Sequence, residues 1–121
     1  MIVHGKERSF LLTVQASVEI AEMCPGGDLA RVREALDGPQ TKSLRFIAKF
    51  IAALSRGYES NKKYEEPGYE PDPLTVDEIL SLPFTEVMAV EKEALRAFYG
   101  STKTEIEVED SPKKDEGTTE E

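Results

Sequence analysis

Apolar residues recur at three- and four-residue steps between Thr41 and Tyr58. Leu44, Ile47, Ile51, Leu54 and Tyr58 form one row, and Phe46, Phe50 and Ala53 form a second beside it. Steps of that length bring side chains to one face of an α-helix, and two adjacent rows make this helix apolar round most of its girth. At about 100° per residue, Lys42, Arg45, Lys49 and Arg56 fall within a sector of roughly 60°, so the strongly polar stripe is also the basic one. Such a helix must be surrounded. The pattern predicts a mainly α fold, a small helical domain in which shorter amphipathic pieces wrap one central apolar helix and leave its basic stripe at a surface or facing acidic partners.

The flanking segments supply those pieces. Ile2–His4 and Arg8–Leu12 read as short extended runs around Gly5-Lys6, a short N-terminal β-hairpin or, more plainly, a frayed arm. A lone hairpin is marginal in water, so Phe10 and Leu12 are expected to lean on the helices, while the exposed edge could pair with a second copy. Thr13 is placed to cap a first helix with Val14, Val18, Ala21 and Ile20 on its apolar face, ending near Cys24 before Pro25-Gly26-Gly27. Asp28 is an N-cap candidate for a second helix through Leu29, Val32 and Leu36, stopped by Gly38-Pro39. No Gly-Lys-Ser/Thr follows the glycine pair, and Asp28 would repel a phosphate, so a nucleotide loop is not expected there.

Beyond the central helix, residues 59–73 read as a loop, with Pro67, Pro71 and Pro73 among charges and two tyrosines. Tyr64 and Tyr69 are candidates either to anchor a partner or to fasten the loop to its own domain. Thr75-Val-Asp-Glu78 is a capping-box signature opening a short helix whose buried face is expected to hold Ile79, Leu80 and Leu82, before Pro83 breaks it. A last helix is expected from Phe84 to Tyr99, with Phe84, Val87, Met88, Leu95 and Phe98 on one side, Val90, Ala94 and Ala97 widening it, and Gly100 as its stop. Glu91 interrupts that face. Either it is buried against Arg45 or Lys49 of the basic stripe, or the helix is rotated to hold it at a rim.

Residues 101–121 hold eight acids and three lysines with only Ile106 and Val108 to bury, so a disordered acidic C-terminal tail is expected after a helical assembly domain of residues 1–100. The tail carries five of the nine net negative charges of the 121-residue chain. A body this mildly acidic lacks the positive field that nucleic-acid binding draws on, so no nucleic-acid partner is expected. No apolar run approaches the roughly 20 residues of a membrane span, so membrane insertion is not expected either. A single cysteine, Cys24, cannot form an internal disulfide, and Met1 leads into a polar segment rather than a secretion signal, so the chain reads as cytoplasmic.

Chemistry is thinly supplied. His4 and Cys24 are the sole members of their types, too few for a zinc site or a Cys-His pair, so neither metal nor cofactor is expected. Glu65-Glu66 sits in the loop and Asp77-Glu78 at a helix start, where solvation and capping account for them. The chain is not expected to be an enzyme, which leaves Lys42, Arg45, Lys49, Arg56, Tyr64 and Tyr69 as candidate partner-binding residues.

The order of three stretches and a tail carries a resemblance: residues 10–32 (FLLTVQASVEIAEMCPGGDLARV), residues 50–59 (FIAALSRGYE), residues 73–98 (PLTVDEILSLPFTEVMAVEKEALRAF) and the acidic, lysine-dotted tail. In this arrangement the chain resembles the tail assembly chaperones of long-tailed bacteriophages and prophages of Gram-positive hosts. The resemblance implies a largely helical, non-enzymatic scaffold acting in the host cytoplasm and missing from the finished virion. It implies the tape measure protein and the tail tube protein as partners, and self-association into a homo-oligomer accords with the modest core and the hairpin edge. Many members of that family have a longer frameshifted form, and Lys113-Lys114 is the residue pair that an A-rich slippery sequence would encode. The rival class is a small acidic phage-encoded regulatory adaptor or inhibitor that blocks a nucleic-acid-binding partner.

Overall fold

The computed structural model describes residues 1–110. A two-stranded antiparallel hairpin, β1 (Ile2–Val3) and β2 (Lys6–Glu7), precedes five helices: α1 (Val14–Met23), α2 (Val32–Leu36), α3 (Gln40–Glu65), α4 (Val76–Leu80) and α5 (Phe84–Asp110). The hairpin pairs Ile2 with Glu7 and Val3 with Lys6, so its reversal falls at His4-Gly5, one residue earlier than expected. Both turn residues have positive φ, 51° and 77°, the two-residue turn whose twist suits a hairpin and which glycine enters without strain. Each strand is only two residues long, and the chain after Glu7 leaves the pair to run along the helices. Phe10 and Leu12 pack on the core from that segment.

The expected central helix is α3, and every other helix packs against it. Phe50, Ile51 and Leu54 are fully buried, as are the small residues Ala48, Ala52 and Ala53 that let neighbours approach. Phe50 stacks on Phe46 at 5.9 Å between centroids and meets Phe98 of α5 edge-on at 5.4 Å, which fixes α5 on this side of α3. At Gly57 the backbone comes closest: Leu11 N–H donates to the Leu54 carbonyl at 3.1 Å, and a Cβ on Gly57 would sit 2.3 Å from the Leu11 carbonyl oxygen. The segment Leu11–Thr13 therefore crosses α3 through a notch that only glycine provides.

The caps read from sequence are in place. Thr13 Oγ1 accepts from Ala16 N–H at 3.1 Å, Asp28 Oδ1 accepts from Ala30 N–H at 2.9 Å, and Thr75 and Glu78 complete the reciprocal capping box that opens α4. Asp28 caps a single 3-10 turn, Leu29–Arg31, which leads into α2 with Val32 and Leu36 buried.

Four expectations need correction. On α1 the buried face is Ala16 and Ile20, whereas Val14 is 83% exposed and Val18 is also exposed. The central helix does not stop at Tyr58 but takes in residues 59–65, because the loop's helix-breaking prolines begin only at Pro67. Leu80 and Phe84, both expected in the core, are exposed: of the expected α5 face Val90, Ala94 and Phe98 are buried while Met88 and Leu95 are half-buried, so the face is turned by roughly 70° toward the residues expected only to widen it, at about 100° per residue. Last, α5 runs through Gly100 to Asp110 with no left-handed glycine there to form a stop, and the rest of the tail, residues 111–121 with Lys113-Lys114, lies outside the described residues.

Candidate interaction surface

Lys42, Arg45, Lys49 and Arg56 all stand at the surface while the rest of the α3 circumference within the domain is largely covered, so the narrow sector read from sequence is the solvent-facing stripe. Arg56 is committed internally, forming an ion pair with Glu19 of α1. Burial pushes the Glu19 carboxyl up, but hydrogen bonds from Arg56 and Gln15 outweigh it and hold the group below the usual carboxylate range. Lys42, Arg45 and Lys49 make no ion pair among the described residues. On one flank of these three cations a shallow depression of about 430 Å³ opens between Glu22 and Met23 of α1 and Phe46 of α3.

The other flank is apolar. Leu44 and Ala48 of α3, Ile79 and Leu80 of α4, Leu82, and Phe84 and Val87 of α5 line a groove of about 150 Å³. Leu80 and Phe84 form its lips and are 51% and 57% exposed. Two large apolar side chains are thus displayed together over an apolar groove, beside a row of cations. The groove is the uncovered end of a seam. Towards the C-terminal end of α3 the same side of the helix is sealed by residues 66–75, with Leu74 N–H donating to Ser55 Oγ at 2.9 Å.

That seal accounts for one of the two tyrosines. Glu59, on α3 and 4% exposed, accepts from Tyr69 Oη at 2.5 Å and from Asp72 N–H at 2.9 Å. The bond to the Glu59 carboxylate pushes the Tyr69 hydroxyl up to about 12. Lys62 Nζ lies 4.9 Å from the Tyr69 ring centroid, and Lys6 and the buried Arg8 both bind Asp72, tying the hairpin to the same strap. Tyr69 thus fastens the loop to its own domain. Tyr64, on the last turn of α3, is 89% exposed and takes no part in that network.

Glu91 stands at a rim, half-buried, and burial raises its carboxyl above the usual range while the positive field of Arg33, on α2, opposes the shift. Its cation is therefore on α2, not Arg45 or Lys49, because the rotation of α5 carries Glu91 away from the basic stripe. Cys24 is buried, and burial pushes its thiol up, away from nucleophilic reactivity. His4 Nε2 lies 3.0 Å from the Glu78 carbonyl oxygen and joins the hairpin turn to α4. Among the described residues no group of His, Cys, Asp and Glu could hold a metal ion, and no helix is long and apolar enough to cross a membrane.

Pattern reasoning found the basic stripe but missed the groove, since it assigned Leu80 and Phe84 to the core. The signal was present in Leu80-Ser-Leu82-Pro-Phe84: three large apolar residues crowd a helix break too short to bury them all. No protein-family model, curated protein or solved structure matches this chain.

Proposed function

We propose that the protein is a non-enzymatic phage tail assembly chaperone that binds the tape measure protein and helps recruit tail tube subunits. The observation that carries this reading is the pair Leu80 and Phe84, held at the surface over an apolar groove by helices that bury Ile79, Val90 and Phe98. A chaperone of a long aggregation-prone client needs such a surface, able to cover apolar client residues reversibly and then release them. The sequence resemblance described above supplies the identity of the client. Self-association belongs to the same proposal, through helix faces rather than the hairpin edge, because two-residue strands offer little backbone to pair.

The test is co-expression of the full chain with candidate tape measure and tail tube proteins, followed by affinity capture. The proposal expects the tape measure protein to stay soluble and to be captured, and a Leu80→Ser/Phe84→Ser chain to lose it while keeping its helical circular dichroism. Wild-type chain that neither solubilises nor captures either protein would count against it.

A further inference from the structure

We infer that the Leu80–Phe84 groove and the Lys42, Arg45 and Lys49 stripe form one composite seat for a partner α-helix with an apolar ridge and an acidic flank. The inference rests on the reading of this face as client-binding and specifies the chemistry of the segment it takes.

Volume comes first. A groove of about 150 Å³ is well below the roughly 300 Å³ at which small-molecule sites begin, and it is the size of space that accepts a single aromatic ring. It suits one or two apolar side chains presented by a macromolecule, the anchor arrangement in which a few buried residues dominate an interface.

Position comes second. Leu44 and Ala48 form the α3 wall of the groove, and Arg45 and Lys49 follow them directly in sequence. At about 100° per residue Arg45 lies roughly 60° round α3 from Ala48, Lys49 roughly 100° and Lys42 roughly 120°, so the stripe borders the wall with Arg45 nearest. A partner helix about 10–12 Å across, anchored in the groove, can bring its neighbouring edge to that border.

Charge comes third. The stripe is a cationic row on a chain of net charge −9, so it selects carboxylates locally while the surrounding field repels them elsewhere, which fixes orientation as well as register. Lys42 to Lys49 spans about 10 Å of helix. A partner helix places acids at matching three- and four-residue steps over that distance. An extended segment would cover it in about three residues, only two of which face the same way. Three cations therefore favour a helical partner.

The probe is a short fluorescent designed peptide with leucines at helical spacing and glutamates along one adjoining flank, titrated against the full chain by anisotropy. Two controls accompany it, one with the glutamates replaced by lysines and one with a central proline. The glutamate peptide is expected to bind about tenfold or more tighter than either control and to weaken severalfold between about 50 and 200 mM salt. Arg45→Glu/Lys49→Glu and Phe84→Ser chains are each expected to lose about tenfold, with Leu80→Ser as a second lip variant should Phe84→Ser not fold. Equal binding of the lysine or proline peptide, or undiminished binding by folded variants, overturns the inference. The assay needs no phage protein, so its failure with tape measure capture intact removes the composite seat alone. Failure of capture with peptide binding intact removes the chaperone reading alone.

Discussion

Gly57→Ala is the sharpest test of the packing that holds α3 at the centre. In an exposed helix interior this change stabilises by about 1 kcal/mol, because alanine loses less backbone entropy. Here the new Cβ would lie 2.3 Å from the Leu11 carbonyl oxygen, 3.2 Å from Thr13 Oγ1 and 3.4 Å from Thr13 Cγ2. The first distance falls short of an ordinary carbon–oxygen approach of about 3.3 Å by about 1 Å, and the obstructing atom is backbone that cannot swing aside. Relief requires the Leu11–Thr13 segment to move off the helix. That movement strains or breaks the Leu11 N–H to Leu54 bond, a net loss of about 0.5–1.5 kcal/mol, and disturbs the Thr13 cap of α1, a loss of about 1 kcal/mol. Overpacking adds about 1–3 kcal/mol. Set against the propensity gain, the net destabilisation is about 2–4 kcal/mol, which lowers the melting temperature of a domain this size by roughly 10–25 °C. Thermal and urea unfolding followed by helical circular dichroism measure it, and hydrogen exchange at the Leu11 amide should accelerate. A variant that melts at or above the wild-type temperature would refute the notch.

Ser55→Ala leaves the buried Leu74 N–H without its acceptor and should cost about 1–3 kcal/mol, read as a lower urea midpoint at unchanged slope and faster exchange at Leu74. The Tyr69 hydroxyl, held up near 12 by Glu59, ionises at lower pH in the unfolded chain. The unfolded state therefore binds fewer protons above pH 10, and the stabilisation should disappear as pH rises from about 10 to 12. A Tyr69→Phe chain that kept the same alkaline fall in stability would rule this out. Glu91, raised by burial, favours the protonated native form. Its ionisation therefore erodes stability as pH rises through the carboxylate range, and Glu91→Gln should be neutral to slightly stabilising at pH 7, within about 0.5 kcal/mol. Double-mutant cycles should show coupling of Glu91 with Arg33 and none with Arg45 or Lys49.

Local signals were the legible part of this chain. The caps at Thr13, Asp28 and Thr75, the breaks at Pro25, Pro39 and Pro83, and the two apolar rows of α3 depend on neighbours in sequence, and all stand where the pattern put them. The solvent stripe of α3 was legible for the same reason, since four cations in one narrow sector leave a greasy helix a single way to face water. Gly57 carried a signal that went unread: a lone glycine amid good helix formers points to a close backbone approach, though not to Leu11 as the neighbour. What the pattern could not resolve was helix rotation. On α5 the large residues Phe84, Met88 and Leu95 outvoted the small ones, but the contact with α3 is centred on Ala94, whose lack of bulk brings Phe98 against Phe50. On α1 the same bias toward larger side chains chose Val14 and Val18 over Ala16, whereas Ile20 is buried as expected. Polar straps were equally hidden, because Glu59, Tyr69 and Asp72 meet only once residues 66–75 fold back on α3.

The rotation of α5 ties the fold to the proposed surface. Centring α5 on Ala94 settles three things together: Phe98 reaches Phe50, Glu91 moves to a rim within the field of Arg33, and Phe84 is turned out beside Leu80. Burying a phenylalanine side chain contributes about 1.5–3 kcal/mol, a large share of a net stability of about 5–15 kcal/mol, so leaving Phe84 exposed is not what stability alone selects. Pro83 makes the exposure hard to avoid. It stops α4 after one turn and starts α5 afresh, so Ile79 and Leu82 fill the space above α3 while Leu80 and Phe84 bracket it from outside. Local preference and global packing disagree at the mouth of the groove, and such disagreements are expected where function sets the sequence. If these two side chains serve a partner, Leu80→Ser and Phe84→Ser should leave the melting temperature nearly unchanged while abolishing capture. If they were merely misplaced core residues, polar replacements would cost the 3–5 kcal/mol typical of truncating a buried phenylalanine.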